Sequence, residues 1–197
     1  IPSGLSRPKR ILTISFSLVL LLTICLGVTA INRLAAVNAE TEEISKNWLP
    51  SVSHISDMNT DASDFRVAEY AHILAQTEQD MSNEEKTLET VTNNLRKNQA
   101  VYEPLISSAE ERQIYEEYKR LWGEYLQTHN NLLTISRQNK TEEARALING
   151  KSRELFEAAN GKLIALVELN QKGAAEASRV AGEAYSGARS WIIAILA

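Results

Sequence analysis

The sequence predicts an all-α fold: an up-down-up-down antiparallel four-helix bundle flanked by transmembrane helices. Its 197 residues include only eight glycines and four prolines, and aromatic residues make up 6%, so few residues break or disfavour helices. An uncharged apolar run near the N-terminus is long enough to cross a membrane. After that run, apolar residues recur at steps of three and four, which is typical of helices with one packed face.

The apolar run at residues 11–31 is the most informative segment. As a helix it would span roughly 30 Å at about 1.5 Å per residue, the thickness of a bilayer core. Basic residues stand just before it, and the positive-inside rule places them in the cytoplasm. We therefore expect residues 1–10 in the cytoplasm, residues 11–31 as a first span of a bacterial inner membrane, and residues 32–189 in the periplasm.

A cleaved signal peptide is the alternative interpretation of this run, with residues 37–39 as a cleavage site. Apolar regions of signal peptides are about 7–15 residues long, however, and this run is longer. A second apolar run, residues 191–197, follows Arg189 at the other end and stops abruptly. We therefore expect a second membrane span that starts near residue 190 and is cut short where the sequence ends.

The first bundle helix is expected to continue from the membrane to about Gln79. Pro50 should kink or loosen it, because proline has no backbone N–H to donate. Its predicted packed face consists of small or apolar residues: Ile44, Trp48, Val52, Ile55, Ala62, Phe65 and Ile73.

The second helix is expected to run from about Ser82 to Tyr102. Ser82 and Glu85 form the capping-box pattern of a helix start, and Pro104 disfavours helical geometry in the residue before it. Its predicted packed face consists of Leu88, Val91, Leu95 and Tyr102.

The third helix is expected to open at Ser107 or Ser108, and Thr141 is expected to cap the fourth, where acidic residues suit the helix N-terminus. The predicted packed face of the third helix is Ile114, Tyr118, Leu121, Tyr125, Leu132 and Ile135. That of the fourth is Leu147, Ile148, Leu155, Ala159, Leu163, Leu166, Asn170, Ala174, Ala177 and Ala184. Short connections near residues 80, 105 and 140 require antiparallel neighbours.

Several short segments carry a family resemblance. They are residues 48–51 (WLPS), 65–74 (FRVAEYAHIL), 107–112 (SSAEER), Trp122 with Tyr125, and 185–189. In this order they resemble the four-helix-bundle ligand-binding domains of methyl-accepting chemotaxis receptors. The resemblance implies a homodimer through helices one and four, two membrane spans, and cytoplasmic signalling partners reached through a C-terminal region beyond this sequence. Some sensor histidine kinases carry similar ectodomains, so the output module stays open.

Arg66 is the first candidate for ligand binding. It interrupts the packed face of the first helix, and a guanidinium placed there needs a partner to offset its desolvation. A ligand carboxylate, which arginine binds through two hydrogen bonds, would be such a partner. The alternatives are an ion pair with a glutamate of helix two or four, or a solvated surface position. In the resembling aspartate receptors, an arginine near this depth contacts the ligand across the dimer interface.

Tyr70, Arg137, Arg145 and Arg153 are further candidates, expected at a height similar to that of Arg66. Each of these arginines by itself is also typical of a solvated bundle surface. The aspartate receptors have more arginines one or two turns beyond the first, and this chain does not. We therefore expect a small carboxylate ligand, such as a di- or tricarboxylate or an amino acid, without assigning aspartate.

Other polar residues are expected to have ordinary structural roles. Tyr125 should be a core aromatic whose hydroxyl finds a partner, and His72 and His129 should be surface or interface residues. Glu69 and His72 have the spacing of a di-iron ligand pair, but the required second pair is absent from the sequence.

Neither an enzyme nor a cofactor is expected, because the sequence has no nucleophile elbow or phosphate loop. The net charge of −4 and the lack of a basic stripe predict no nucleic-acid partner. A module that reads a ligand-loaded periplasmic binding protein is the alternative function. The small-residue tract at residues 173–190 suits either a sliding signalling helix or a tightly packed bundle base.

Overall fold

The computed structural model describes residues 7–196, with side chains described through residue 194. The described chain is almost entirely helical. Its α-helices are α1 (Arg7–Glu43), α2 (Leu49–Leu74), α3 (Glu78–Tyr102), α4 (Ala109–Arg137), α5 (Thr141–Asn149) and α6 (Lys151–Leu196). The chain divides into two compact units, one formed by its two ends and the other by Ser45–Ala174.

The predicted first membrane span lies within α1. Its most apolar window has a mean hydropathy of 2.6, and none of that window is buried against the rest of the protein. Phe16, for example, is 71% exposed and Leu12 is 73% exposed. Among the described residues this is the one helix long and apolar enough to cross a membrane, a property it shares with N-terminal signal sequences.

The predicted irregularity at Pro50 is confirmed. A π-helical turn, Ile44–Trp48, separates α1 from α2, and Pro50 stands in the first turn of α2. Because proline has no N–H, the carbonyl four residues earlier loses its usual donor. A wider turn just before the proline accommodates that loss without ending the helix.

Hydrogen bonds and ion pairs between helices show that α2, α3, α4 and α6 form the predicted antiparallel bundle. In each neighbouring pair, residue numbers rise along one helix as they fall along the other. The pairs are His54–Asn98 and His72–Glu85 for α2 and α3, Tyr102–Glu111 and Arg137–Glu85 for α3 and α4, and Asn170–Glu111 and Lys162–Glu117 for α4 and α6.

Aromatic rings fill the centre of the bundle. Tyr118, Tyr125 and Leu132 of α4 are buried, as predicted. Ile114, Leu121 and Ile135 also pack against the core, but they lie half-buried on its flank and not at its centre. The buried positions of α4 repeat strictly at steps of four and three: Glu111, Tyr115, Tyr118, Trp122, Tyr125, His129, Leu132 and Ser136. Residues with polar tips therefore occupy core positions that an apolar pattern alone does not identify.

The start of α4 agrees with the prediction. Ser108 is its N-cap, and its hydroxyl accepts a hydrogen bond from the N–H of Glu111 at 3.1 Å. The carboxylate of Glu111 in turn accepts from the N–H of Ser107 at 2.9 Å. This exchange satisfies amide groups that a helix start would otherwise leave unpaired.

The predicted start of the second helix at Ser82 was wrong. The first bundle helix ends at Leu74, and α3 begins at Glu78 with Thr77 as its N-cap. The Thr77 hydroxyl accepts from the N–H of Asp80 at 3.1 Å. Ser82 therefore lies one turn inside a helix that has already been capped.

The predicted cap at Thr141 was also wrong, and the fourth helix is not continuous. Thr141 is the first residue of α5, preceded by Lys140, which makes no side-chain cap. Gly150, with φ −100° and ψ −111°, separates α5 from α6. A Cβ atom at this position would lie 2.9 Å from the carbonyl oxygen of Ala146, closer than real side chains approach, so the break requires glycine.

Close packing at the start of the small-residue tract involves Gly173. A Cβ atom there would lie 2.5 Å from the ring of Trp48. Glycine therefore lets the Trp48 ring lie directly against the backbone of α6. At this position the structure agrees with the interpretation of the tract as a tightly packed bundle base.

Candidate functional site

Arg66 lies on α2 and is only 8% exposed. One terminal nitrogen of its guanidinium donates to the hydroxyl of Ser152 at 3.2 Å. The other donates to the carbonyl of Ile148 at 2.8 Å and to the hydroxyl of Tyr70 at 3.4 Å. These contacts join α2 to the last turn of α5 and the first turn of α6.

Two aromatic rings and one carboxylate surround the Arg66 guanidinium. Its central carbon lies 5.3 Å from the ring centre of Tyr70 and 5.0 Å from that of Phe156, distances at which a cation is attracted to a ring. The nearest carboxylate oxygen belongs to Glu69, at 3.9 Å. The guanidinium is therefore paired within its own helix, and not with a glutamate of helix two or four.

Glu69 organises a buried polar network behind Arg66. Its side chain is fully buried and accepts hydrogen bonds from the hydroxyl of Tyr125 and, at 2.7 Å, from Nδ1 of His129. Burial, together with the nearby Glu69 charge, raises the pKa of Tyr125 well above its usual value, so this hydroxyl keeps its proton. The core role predicted for Tyr125 is confirmed, and the surface role predicted for His129 was wrong.

Tyr70 forms the exposed edge of this region. It is 36% exposed, and its hydroxyl donates to the side-chain oxygen of Asn149 at 2.9 Å. Arg153 follows Ser152 at the start of α6, and its ion pair with Glu157 is the main cause that raises its pKa.

The remaining candidate arginines occupy other surroundings. Arg137 is exposed and binds both carboxylate oxygens of Glu85 on α3. Arg145 is exposed and pairs with Glu142 at 3.0 Å within α5. The structure thus brings Arg66 and Tyr70 together with Arg153 nearby, whereas the contacts of Arg137 and Arg145 in the described chain are with other groups.

His72 belongs to a second buried cluster, contrary to its predicted surface role. Its Nε2 lies 3.1 Å from a carboxylate oxygen of Glu85, and its Nδ1 lies 2.9 Å from the hydroxyl of Ser136. The Ser136 hydroxyl donates its own proton to the backbone carbonyl of His72 at 3.2 Å. Both ring nitrogens of His72 therefore have hydrogen-bond partners within the protein.

Glu85 connects this cluster across three helices. Partial burial works to raise its pKa, but hydrogen bonds from Arg137 and His72 outweigh that effect and hold the pKa below the ordinary value of 4.5. Its ionised form therefore stabilises the fold above pH 4.5, and this contribution is lost as the pH falls through the lowered pKa.

Replacing Glu85 with glutamine is expected to lower the free energy of unfolding by about 1–2 kcal/mol at neutral pH. The difference from the wild type should shrink as the pH falls below 4.5, because the wild-type carboxylate then becomes protonated. Denaturant unfolding at several pH values, followed by circular dichroism, measures this. The exposed Glu89→Gln variant is the control, and an equal pH dependence of both variants would contradict the assignment.

Sequence reasoning did not identify Ser152, Phe156 or the carbonyl of Ile148 as partners of Arg66, or Asn149 as the partner of Tyr70. These groups stand about eighty positions further along the chain, and helical periodicity gives no information on which side chains meet across a bundle. The position of Glu69 three residues after Arg66 was the one available signal, since residues at that spacing lie side by side on a helix.

The fold is a helical bundle in which a buried arginine, Arg66, joins three helices near a solvent-exposed edge. The sequence matches the family described as a four helix bundle sensory module for signal transduction over residues 9–185. The chain therefore belongs to the family of four-helix-bundle sensory modules of methyl-accepting chemotaxis proteins. A comparison with curated proteins found no significant match.

Proposed function

We propose that this chain is the sensory and membrane-anchoring part of a bacterial chemoreceptor whose bundle lies in the periplasm and binds a small carboxylate at Arg66. The single observation that carries the proposal is the placement of Arg66: a nearly buried cation beside an exposed edge formed by Tyr70 and Asn149. Arginine binds carboxylates through paired hydrogen bonds, and the low polarity of its surroundings strengthens them.

A carboxylate arriving at this edge would compete for the Arg66 hydrogen bonds now accepted by Ser152 and by the carbonyl of Ile148. Tyr70 would add a hydroxyl to the same ligand, and Arg153 would add a nearby positive charge. Binding would thus replace contacts between Arg66 and the protein by contacts between Arg66 and the ligand. The affinity for the ligand would then depend on the conformation of the bundle.

The proposed signal begins at the break between α5 and α6. Ile148 and Ser152 stand on either side of Gly150, so releasing their contacts with Arg66 would free the two helices to shift relative to each other. Displacements of helices in such transitions are about 1–2 Å. α6 would carry this displacement toward a second membrane span and the cytoplasmic signalling module.

A homodimer through α2 and α6 is part of the proposal. Both helices expose large apolar side chains that a monomer leaves in water: Val67 is 65% exposed, Leu74 is 68% exposed and Ile164 is 45% exposed. Exposed apolar residues on adjoining helices are typical of a surface that packs against a partner. The Arg66 edge would then lie beside the second copy.

Binding of organic acids and amino acids to the full chain in detergent micelles tests the proposal. At least one acid is expected to raise the melting temperature, and Tyr70→Phe should weaken its binding several-fold, because one hydrogen bond to a charged group is lost. Arg66→Lys, which keeps the charge but not the planar guanidinium, should weaken it about tenfold or more.

Arg145→Gln is the matched control, since it removes an exposed arginine of α5 that pairs only with Glu142 among the described residues. It should bind the acid as the wild type does. If no acid in the panel stabilises the protein, or if the Tyr70 and Arg66 variants bind normally, the proposed site is wrong.

A further inference from the structure

A second candidate binding region lies between α3 and α4. This α3–α4 groove is lined by Leu88, Glu89 and Arg96 of α3, by Leu126 and His129 of α4, and by Phe65 of α2 at its base. The groove is open to solvent, and its volume of about 330 Å³ is in the range of small-molecule pockets. The groove lies within one protomer and is formed mainly by two helices that do not carry Arg66.

His129 is the polar group that distinguishes the groove from an ordinary helix surface. Its side chain is 9% exposed, and its Nδ1 is fixed by the fully buried Glu69 at 2.7 Å. Because a carboxylate only accepts, Nδ1 donates, and Nε2 is the nitrogen left for another partner. Nε2 makes no hydrogen bond with any residue in the described part of the chain, although the imidazole itself lines the groove.

Glu85 and Glu89 line one end of the groove and Arg96 lines the other. Glu85 is already bound to His72 and Arg137. Glu89 and Arg96 are seven residues apart on α3, so they share one face at a separation of about 10 Å along the helix axis. Both are exposed, and neither forms an ion pair with a residue between positions 7 and 194. Leu88, Leu126 and Phe65 supply apolar surface between the charges.

We propose that the α3–α4 groove binds an elongated zwitterion with an apolar middle, its carboxylate at Arg96 and its ammonium group at Glu89, where it can also donate a hydrogen bond to Nε2 of His129. The apolar middle would cover the leucines and the edge of Phe65. Charge complementarity at both ends favours this occupant over a fatty acid or an alkylamine, each of which leaves one end unpaired. Glu69 links the groove to the Arg66 site, since it binds His129 and lies 3.9 Å from Arg66.

Calorimetric titration of the full chain in lipid nanodiscs tests this proposal with 6-aminohexanoate as the probe. Its isomer 2-aminohexanoate has the same atoms with adjacent charges, hexanoate lacks the cation, and hexylamine lacks the anion. We expect 6-aminohexanoate to bind at least about tenfold more tightly than each of the three, because only it can satisfy both ends. Absence of binding at millimolar concentration, or equal binding of any of the three, would overturn the proposal.

Substitutions of exposed residues can locate the binding site, because they should not destabilise the fold. Arg96→Gln and Glu89→Gln should each weaken 6-aminohexanoate binding about tenfold, with unchanged helical circular dichroism. Lys97→Gln, which removes the neighbouring cation outside the groove, should bind as the wild type does. Unchanged binding in both groove variants would overturn the assignment. Arg66→Lys should leave 6-aminohexanoate binding unchanged. The titration with 6-aminohexanoate therefore tests the groove alone, whereas the panel of organic acids tests the proposed carboxylate site at Arg66.

Discussion

Replacing Glu69 with alanine is expected to lower the free energy of unfolding by about 3–5 kcal/mol, the cost typical of breaking a buried charge pair. Glu69 is fully buried and serves Tyr125, His129 and Arg66 at once. Without it, a hydroxyl and an imidazole N–H lose their acceptor, and the Arg66 guanidinium loses its nearest negative charge. Unpaired polar groups in a low-dielectric interior are costly, so the three losses reinforce each other.

The measurement is thermal unfolding of the full chain in detergent micelles, where this loss corresponds to a melting temperature lower by roughly 10 °C. Glu157→Ala is the matched control, because Glu157 is an exposed glutamate that pairs with an exposed arginine, Arg153. Such surface pairs contribute about 0–1 kcal/mol. If Glu69→Ala and Glu157→Ala melted at the same temperature, the buried network would have no role in stability.

Replacing Glu111 with alanine is expected to cost about 3 kcal/mol. Its fully buried carboxylate accepts from the hydroxyl of Tyr102 at 2.8 Å, from the amide of Asn170 at 2.9 Å and from the N–H of Ser107 at 2.9 Å. One side chain thus joins α3, α4, α6 and the loop before α4. Burial and the adjacent carboxylate raise the pKa of Tyr102 far above its usual value, so its hydroxyl remains a donor.

Glu110→Ala is the control for Glu111, since Glu110 stands beside it in the first turn of α4 but is exposed. Its loss should cost only the few tenths of a kcal/mol that a charge near a helix N-terminus contributes. Denaturant unfolding of the two variants under one condition compares them directly. Equal destabilisation would mean that charge in the first turn matters and the buried hydrogen bonds do not.

The helices could be predicted from the sequence because each depends on local information. The spacing of apolar residues identified α2, α3, α4 and α6, and Pro50 and Pro104 marked the irregular turns. Helix starts were less certain: Ser82 and Thr141 both fit capping patterns, yet both lie inside helices. Such patterns also occur by chance within helices, and the choice among them depends on where tertiary packing places the loop.

The candidate site could be predicted only in part. The mismatch between an arginine and an apolar helix face singled out Arg66, and the structure places it among buried groups. The surface role predicted for His72 and His129 was wrong, because each of them is buried beside a carboxylate on another helix. The partner is Glu85 for His72 and Glu69 for His129. Pairings across helices depend on the register of the whole bundle, which no single segment of the sequence specifies.

We propose that this bundle senses a small carboxylate through Arg66 and signals across a membrane. The most direct measurement is the output of a hybrid receptor in which this chain replaces the sensory and membrane segments of a characterised chemoreceptor. We expect an acid that stabilises the isolated chain to change the activity of the kinase coupled to the hybrid, and Arg66→Lys to reduce that response about tenfold in sensitivity. A hybrid that reaches the membrane and yet responds to no acid, while the parent receptor still responds to its own ligand, would contradict the claim.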